Sequence, residues 1–249
     1  MPEAAFSLAQ VSGIGGRTSN EDALGHVQRG AVACFVVSDG AGGHEGGEVA
    51  SAITVQAVLA TIDAPFSEDL LRAAIGQAST SVASAKTDNG ALAAMSATVA
   101  AVLLDTHLGL VCWAHLGDTR VHLFRSRQLA AMTKDHSLVQ QFVDAGLATD
   151  ADTRNHPKRN LLYAAIGAEG DTHATIQSTL ALQAGDAILI CTDGLWEWVT
   201  EDAMAQALAK ATSVDDWLAT MCAAADTASG ASGKARDNFT AMALWIVQP

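Results

Sequence analysis

The stretch VACFVVSDGAGGHEGGEVASAITVQAVLATI, residues 32–62, decides how the chain is organised. Val32 to Ser38 carries no charge and is rich in β-branched and aromatic side chains, which reads as a buried strand. The run stops at Asp39-Gly40 and a glycine-rich segment. From about Gly47 to Ile62 the pattern turns helical, with Val49, Ile53, Ala57 and Leu59 on one face. Upstream, Phe6–Val11 and Ala23–Gln28 read as further strands. Downstream, Ser67 is an N-cap followed by Glu68 and Asp69, so a second helix is expected to about Lys86, ended by the turn Asp88-Asn89-Gly90. Strands follow at Thr98–Leu104 and Leu110–Leu116, then a hairpin of Arg120–Arg125 with Gln128–Met132, and a short helix over Ser137–Ala145. Gly146–Asn160 is polar, holds Pro157 and is expected to be a flap. Strands at His173–Thr179 and Ala187–Thr192, helices starting at Thr200 and Ser213, and a strand over Phe239–Val247 complete the chain. This order lacks strict βαβ alternation. It predicts an α+β fold, helices packed on antiparallel sheets, as one catalytic domain over 1–249.

Composition excludes several classes. Of the 249 residues 49% are hydrophobic and 16% charged, which is incompatible with intrinsic disorder. Asp and Glu number 27 against 14 Lys and Arg, and a net charge of −13 argues against nucleic acid as a partner. Cys34, Cys112, Cys191 and Cys222 form no CxxC pair and are expected to be reduced thiols rather than disulfides or zinc ligands. The first ten residues lack a secretory pattern, and the longest uncharged apolar stretch, Ala91–Leu104, falls short of the ~20 residues of a membrane span. The expectation is a soluble cytoplasmic protein with no membrane association.

Several apolar runs end in an aspartate. Val32–Ser38 leads into Asp39-Gly40, Ala187–Thr192 into Asp193-Gly194, and Val111–Gly117 into Asp118. Each alone reads as a turn aspartate. An ionised carboxylate inside a buried strand is too costly to desolvate, but at strand ends several can converge. Converging acids need a cation between them, and oxygen donors without a Cys or His cluster suit Mg²⁺ or Mn²⁺ better than zinc. The loop Arg17-Thr18-Ser19-Asn20-Glu21-Asp22 adds two carboxylates and an arginine whose planar fork suits a phosphate; its plainer reading is a surface turn with an ion pair. Arg236-Asp237-Asn238-Phe239-Thr240 leads into the last strand and alone reads as a turn. Gly40 to Glu48 holds enough glycine to let backbone approach a phosphate, but it is neither a Walker A loop nor GxGxxG.

Six segments together resemble the metal-dependent protein serine/threonine phosphatases of the type 2C or PPM family, in the bacterial form: RTSNED (17–22), VVSDGAGGHEGGEVAS (36–51), LGDTR (116–120), HPKRNLLYAAIG (156–167), CTDGLW (191–196) and ARDNFTAMAL (235–244). The resemblance implies two stacked antiparallel sheets flanked by helices, with a binuclear metal site at one edge. By that likeness Asp39 bridges two Mn²⁺ or Mg²⁺ ions. Gly40 offers its carbonyl to the first, and Glu21 supports it directly or through water. Asp193 and Asp237 hold the second, and Asp118 joins Asp193 at a weaker third site. Arg17 grips the substrate phosphate, while Asp22 and Asn238 support the ligands. The implied reaction is one-step hydrolysis of phosphoserine or phosphothreonine in proteins by a metal-activated water, and the implied partner is a Ser/Thr kinase that it opposes. The alternative is a pseudophosphatase or phosphoprotein-binding module of the same fold. Three positions depart from the family pattern: Ala41 replaces a methionine, Met95-Ser96-Ala97-Thr98 replaces a Gly-Thr-Thr pattern, and Glu197 stands where many relatives carry aspartate. Eukaryotic relatives place a general-acid histidine directly after Asp-Gly. Here the nearest is His44, the candidate to protonate the leaving group or orient substrate.

Overall fold

A computed structural model describes residues 5–42, 46–168 and 173–248. The strands are β1 (Ala5–Gly13), β2 (Asp22–Arg29), β3 (Val32–Ala41), β4 (Ser96–Ala97), β5 (Val99–Asp105), β6 (Leu110–Leu116), β7 (Arg120–Arg125), β8 (Gln128–Met132), β9 (Thr175–Ala181), β10 (Ala187–Cys191) and β11 (Phe239–Gln248). The helices are α1 (Gly46–Thr61), α2 (Glu68–Asp88), α3 (Leu138–Asp144), α4 (Asp152–Asn155), α5 (Asp193–Trp196), α6 (Glu201–Lys210) and α7 (Val214–Ser232). One sheet runs β1-β11-β10-β7-β8 and the other β2-β3-β5-β6-β9, with β4 paired to the end of β3. Every strand pair is antiparallel.

The uncharged run in β3 follows from burial on both faces. Side chains alternate across a strand. Val32, Cys34 and Val36 join the cluster beneath α1 and α2, whereas Ala33, Phe35 and Val37 point into the layer between the sheets. There they meet Ile188 and Ile190 of β10 and Met242 and Leu244 of β11. The other faces of β10 and β11 pack Leu189, Cys191, Ala241 and Ala243 against Trp196, Trp217 and Met221 of the later helices. Helices therefore cover the outer face of each sheet, and the inter-sheet layer is the central core. This is the α+β sandwich that the sequence predicts.

The expected helix starts are correct. The hydroxyls of Ser67, Ser137, Thr200 and Ser213 accept from the N–H groups of Leu70, Gln140, Ala203 and Asp216. Three expectations need correction. In α1 the row Val49, Ile53 and Ala57 is only half-buried, and the deep face is Ala50, Ser51, Thr54, Val55 and Val58. Its hydroxyls are satisfied, Thr54 Oγ1 donating to Ala50 O (2.8 Å) and Ser51 Oγ to Glu21 O (2.6 Å), so polar letters sit in the core at little cost. The strand expected at His173–Thr179 is β9, two residues later, because its ladder with β6 runs from Thr175 opposite His115 to Ala181 opposite Leu110. Gly146–Asn160 is not irregular throughout. It contains α4, whose Asp152 carboxylate accepts from both N–H and hydroxyl of Thr149 (2.8 Å each). Among the described residues no helix is long and apolar enough to cross a membrane.

Candidate active site

The ends of β3 and β10, the beginnings of β2 and β11, and the β6–β7 turn meet at one edge of the sandwich. They enclose a cavity of about 590 Å³ lined by Glu21, Asp39, Gly40, Asp118, Asp193, Asp237 and Asn238, with Arg17 beside it. The structure thus brings together the acids expected at the ends of distant apolar runs. Asp22 lies under this cluster, its Cα opposite that of Asp39 in the β2–β3 ladder. His44 falls outside the described residues.

Two local details differ from the expectation that the aspartates end strands. Asp39 lies within β3, which continues to Ala41 because Gly40 and Ala41 pair with Ala97 and Ser96 of β4. It is half-buried and opens onto the cavity, which is how a strand interior carries it. Asp193 is the first residue of α5 rather than a turn residue. Glycine is required at both places. A Cβ on Gly40 would lie 2.0 Å from Gly47 O, and one on Gly194 would lie 2.0 Å from Asn238 O. The close approach of α1 to β3, and of α5 to β11, exists only because neither side chain is there. The glycine-rich segment therefore acts first in packing.

Hydrogen bonds fix the surrounding backbone. The Asp39 N–H donates to Thr98 Oγ1 (3.0 Å), and the Thr98 N–H donates to Asp39 O (2.8 Å). Asn238 is the main tether: its Oδ1 accepts from the Glu21 N–H (2.9 Å) while its Nδ2 donates to Ile14 O (2.9 Å) and Ser19 O (2.8 Å). One side chain at the start of β11 thereby holds the loop that presents both Arg17 and Glu21. Thr192 Oγ1 donates to Asp22 Oδ2 (3.0 Å), and among the described residues Asp22 Oδ1 is buried without a partner.

The electrostatics are those of an uncompensated acidic cluster. Burial raises the Asp39 pKa well above the carboxylate range, and the charges of Asp22, Asp193 and Asp118 add to it. Burial does the same at Asp193, helped by Asp118 and Asp237. Asp118 is pushed up to about 7, by burial first and Asp135 second, and Asp22 to about 6, chiefly by burial. Cations reach only part of the cluster. Arg17 Nη2 donates to Asp237 Oδ2 (2.5 Å), and Arg159 pairs with Glu197 and lies 3.9 Å from Asp193 Oδ2. Among the described residues no three His, Cys, Asp or Glu side chains are grouped tightly enough to hold a metal ion as they stand. The donor set nevertheless fits a hard divalent cation: oxygen ligands alone around one cavity, and a charge excess that a 2+ ion would offset.

Sequence reasoning missed four contributors. Arg159 sits in the 156–167 segment, but nothing local reveals its pairing with Glu197. Arg236 donates to Gly194 O (2.7 Å) and to Asp226 (2.6 Å) and stacks on Phe239, clamping α5 and α7 to the start of β11. Thr98 and Thr192 read as strand residues, and only the fold shows their hydroxyls supporting Asp39 and Asp22.

Sequence and fold are similar to those of known proteins. The serine/threonine protein phosphatase PstP of Mycobacterium tuberculosis is 35% identical over 199 residues, 77% of this chain but 36% of PstP, so the chain spans about a third of that relative. The serine/threonine phosphatase stp of Listeria monocytogenes is 31% identical over 180 residues, 70% of each chain. A crystal structure of the PstP catalytic domain in complex with two manganese ions superposes with a TM-score of 0.83 at 27% identity, covering 98% of this chain and 100% of that one. The protein phosphatase 2C family profile matches residues 10–238, a span that runs from β1 to the Asp237-Asn238 pair at the cavity. With fold, acidic edge and sequence in agreement, the chain belongs to the protein phosphatase 2C family.

Proposed function

We propose that the chain is a metal-dependent protein serine/threonine phosphatase. The observation that carries this reading is that Glu21, Asp39, Asp118, Asp193 and Asp237, from five separate segments, line one cavity beside an exposed arginine. Two Mn²⁺ or Mg²⁺ ions would be held by Asp39 between them, with Gly40 O and Glu21 toward one and Asp193 and Asp237 toward the other; Asp118 and Asp193 would hold a third. When bound, such ions activate water for attack and neutralise phosphoryl oxygens. The protein's own part is placement. Asn238 fixes the loop so that Arg17, its side chain 60% exposed, can leave Asp237 and fork its guanidinium onto two oxygens of a phosphate. Asp22, held by Thr192 and paired with Asp39 in the β2–β3 ladder, adds a buried carboxyl beside that residue. Water replaces the serine or threonine oxygen on phosphorus in line, one P–O bond forming as the other breaks, and a proton passes to the departing hydroxyl. His44 is the candidate donor. Residues 146–160 are assigned as a flap, anchored by Arg154, which donates to Trp196 O (3.0 Å) and Glu201 (2.7 Å). Phosphoproteins made by a Ser/Thr kinase in the cytoplasm are the matching substrates.

Turnover of p-nitrophenyl phosphate and of phosphopeptides, with Mn²⁺ and with a chelator, tests this reading. Hydrolysis restored by Mn²⁺ and favouring phosphoserine or phosphothreonine peptides over sugar phosphates is the expected result. Phosphopeptide binding without turnover would instead indicate a pseudophosphatase.

A further inference from the structure

Beside the acidic cavity lies a second groove of about 480 Å³ that shares Arg17, Asn160 and Asp237 with it. Its charge is opposite to that of the molecule. The chain holds 14 Lys and Arg and a net charge of −13, yet five of those cations, Arg17, Arg154, Lys158, Arg159 and Lys234, line this groove. Its acids, Glu197 and Asp237, are already paired with Arg159 and Arg17. Arg154 is taken by Glu201. Lys158 and Lys234 remain: both are exposed, and among the described residues neither ammonium has an ion-pair partner. They come from separate segments, one following α4 and one joining α7 to β11. An anionic peptide is repelled by the net charge of the molecule as a whole, whereas in this groove it meets five cations, two of them unpaired among the described residues.

We propose that this groove binds a second anionic group of the phosphoprotein substrate, so that sites flanked by acidic or additionally phosphorylated residues are preferred. The inference rests on the phosphatase reading and names the substrate class of the same site. A peptide whose phosphate meets Arg17 has this groove within reach of its flanking residues, because Arg17 lines both cavities.

The test compares kcat/KM of the Mn²⁺-loaded protein on three matched phosphopeptides, flanked by neutral residues, by glutamates or by a second phosphoserine. The anionic peptides should be favoured by about fivefold at low salt, an advantage that ~0.5 M NaCl largely removes. The double variant Lys158→Ala/Lys234→Ala should lose this preference while hydrolysing the neutral peptide and p-nitrophenyl phosphate as before, and Lys158→Glu/Lys234→Glu should reverse it. Preference for the diphosphorylated peptide alone would identify a phosphate subsite, and preference for both a general anion subsite. Equal kcat/KM for all three peptides, or a preference that survives in the double variant, would overturn the proposal and leave the phosphatase reading intact. If no peptide and no p-nitrophenyl phosphate is turned over, the phosphatase reading fails. The groove is then judged by fluorescence anisotropy of the labelled anionic peptides, where binding weakened in the double variant supports it and equal binding refutes it.

Discussion

Two clusters of buried charge meet at Trp196, and they are built on opposite principles. On one side Arg120 forks onto Asp135 (2.8 and 2.7 Å) and stacks on the indole ring, while Arg154 pairs with Glu201. Arg120 and Asp135 are each only 3% exposed, but cations and acids balance. Burial alone would raise Glu201; the neighbouring His122 ring, 3.7 Å away, and the bond from Arg154 outweigh it and hold its carboxyl well below the usual range. On the other side, where Trp196 Nε1 donates to Asp118 O (2.9 Å), the acids outnumber the cations and are pushed toward neutrality. A balanced buried cluster fastens elements together. An unbalanced one is costly to the fold alone and is reasonable only where something positive is to be bound.

The comparison can be broken most sharply at the unbalanced side. Asp39→Asn or Asp193→Asn should lower kcat by more than about a hundredfold, with the Mn²⁺-dependent gain in Tm also lost. The metal-free variants should melt no lower than the metal-free parent, because a carboxyl that burial and its acidic neighbours disfavour in charged form has been replaced by a neutral amide. Retained turnover, or a metal-free variant that fails to fold, would remove the distinction between the clusters. At the balanced side Asp135→Ala should lower stability by about 3–5 kcal/mol in denaturant titration, since it leaves Arg120 buried and unpaired. A loss smaller than about 1 kcal/mol would mean the pair is not structural.

A smaller effect concerns pH. In the metal-free fold Asp118 and Asp22 titrate near 7 and 6, whereas in the unfolded chain they do so near about 4. The folded protein therefore binds protons first, gaining stability as pH falls from about 7 toward 4 and losing it as pH rises through those values. His115 and His122, which burial holds below the usual histidine range, act in the opposite direction below about 6.5, with or without metal. The Mn²⁺-induced rise in Tm should accordingly shrink between pH 7.5 and 5.5, as protons and metal compete for the same oxygens; an undiminished rise at pH 5.5 would count against that competition. Smallest is Arg17→Ala, expected to raise KM roughly tenfold with little change in kcat, as loss of one exposed bidentate contact. An unchanged KM would free Arg17 of its assigned role.

Asp39, Asp118 and Asp193 were legible in the sequence because three distant uncharged runs each end in an aspartate, whereas Glu21 and Asp237 lie in polar turns and were assigned only by likeness to the family. Phe35 and its alternating neighbours marked a strand buried on both sides. Much of the balanced cluster was not legible. Arg120 was read as the start of a hairpin strand and the end of LGDTR, with no partner assigned, and Arg154 as part of the polar flap segment. Their partners come from other elements, and pairing across the fold leaves no local periodicity. Thr54 and Ser51 misled the reading of α1 for a related reason: hydroxyls satisfied within the structure behave as core residues. The short β4 escaped notice because two paired residues carry too little pattern to distinguish a strand from a turn.

The central claim is that the excess of buried acid is matched by divalent ions shared among residues far apart in the chain. Anomalous diffraction from crystals soaked in manganese tests it most directly. The account predicts peaks within ligand distance of Asp39, with Asp193 and Asp237 on one of the same ions. Those three carboxylates ordered with no ion shared between them would contradict it.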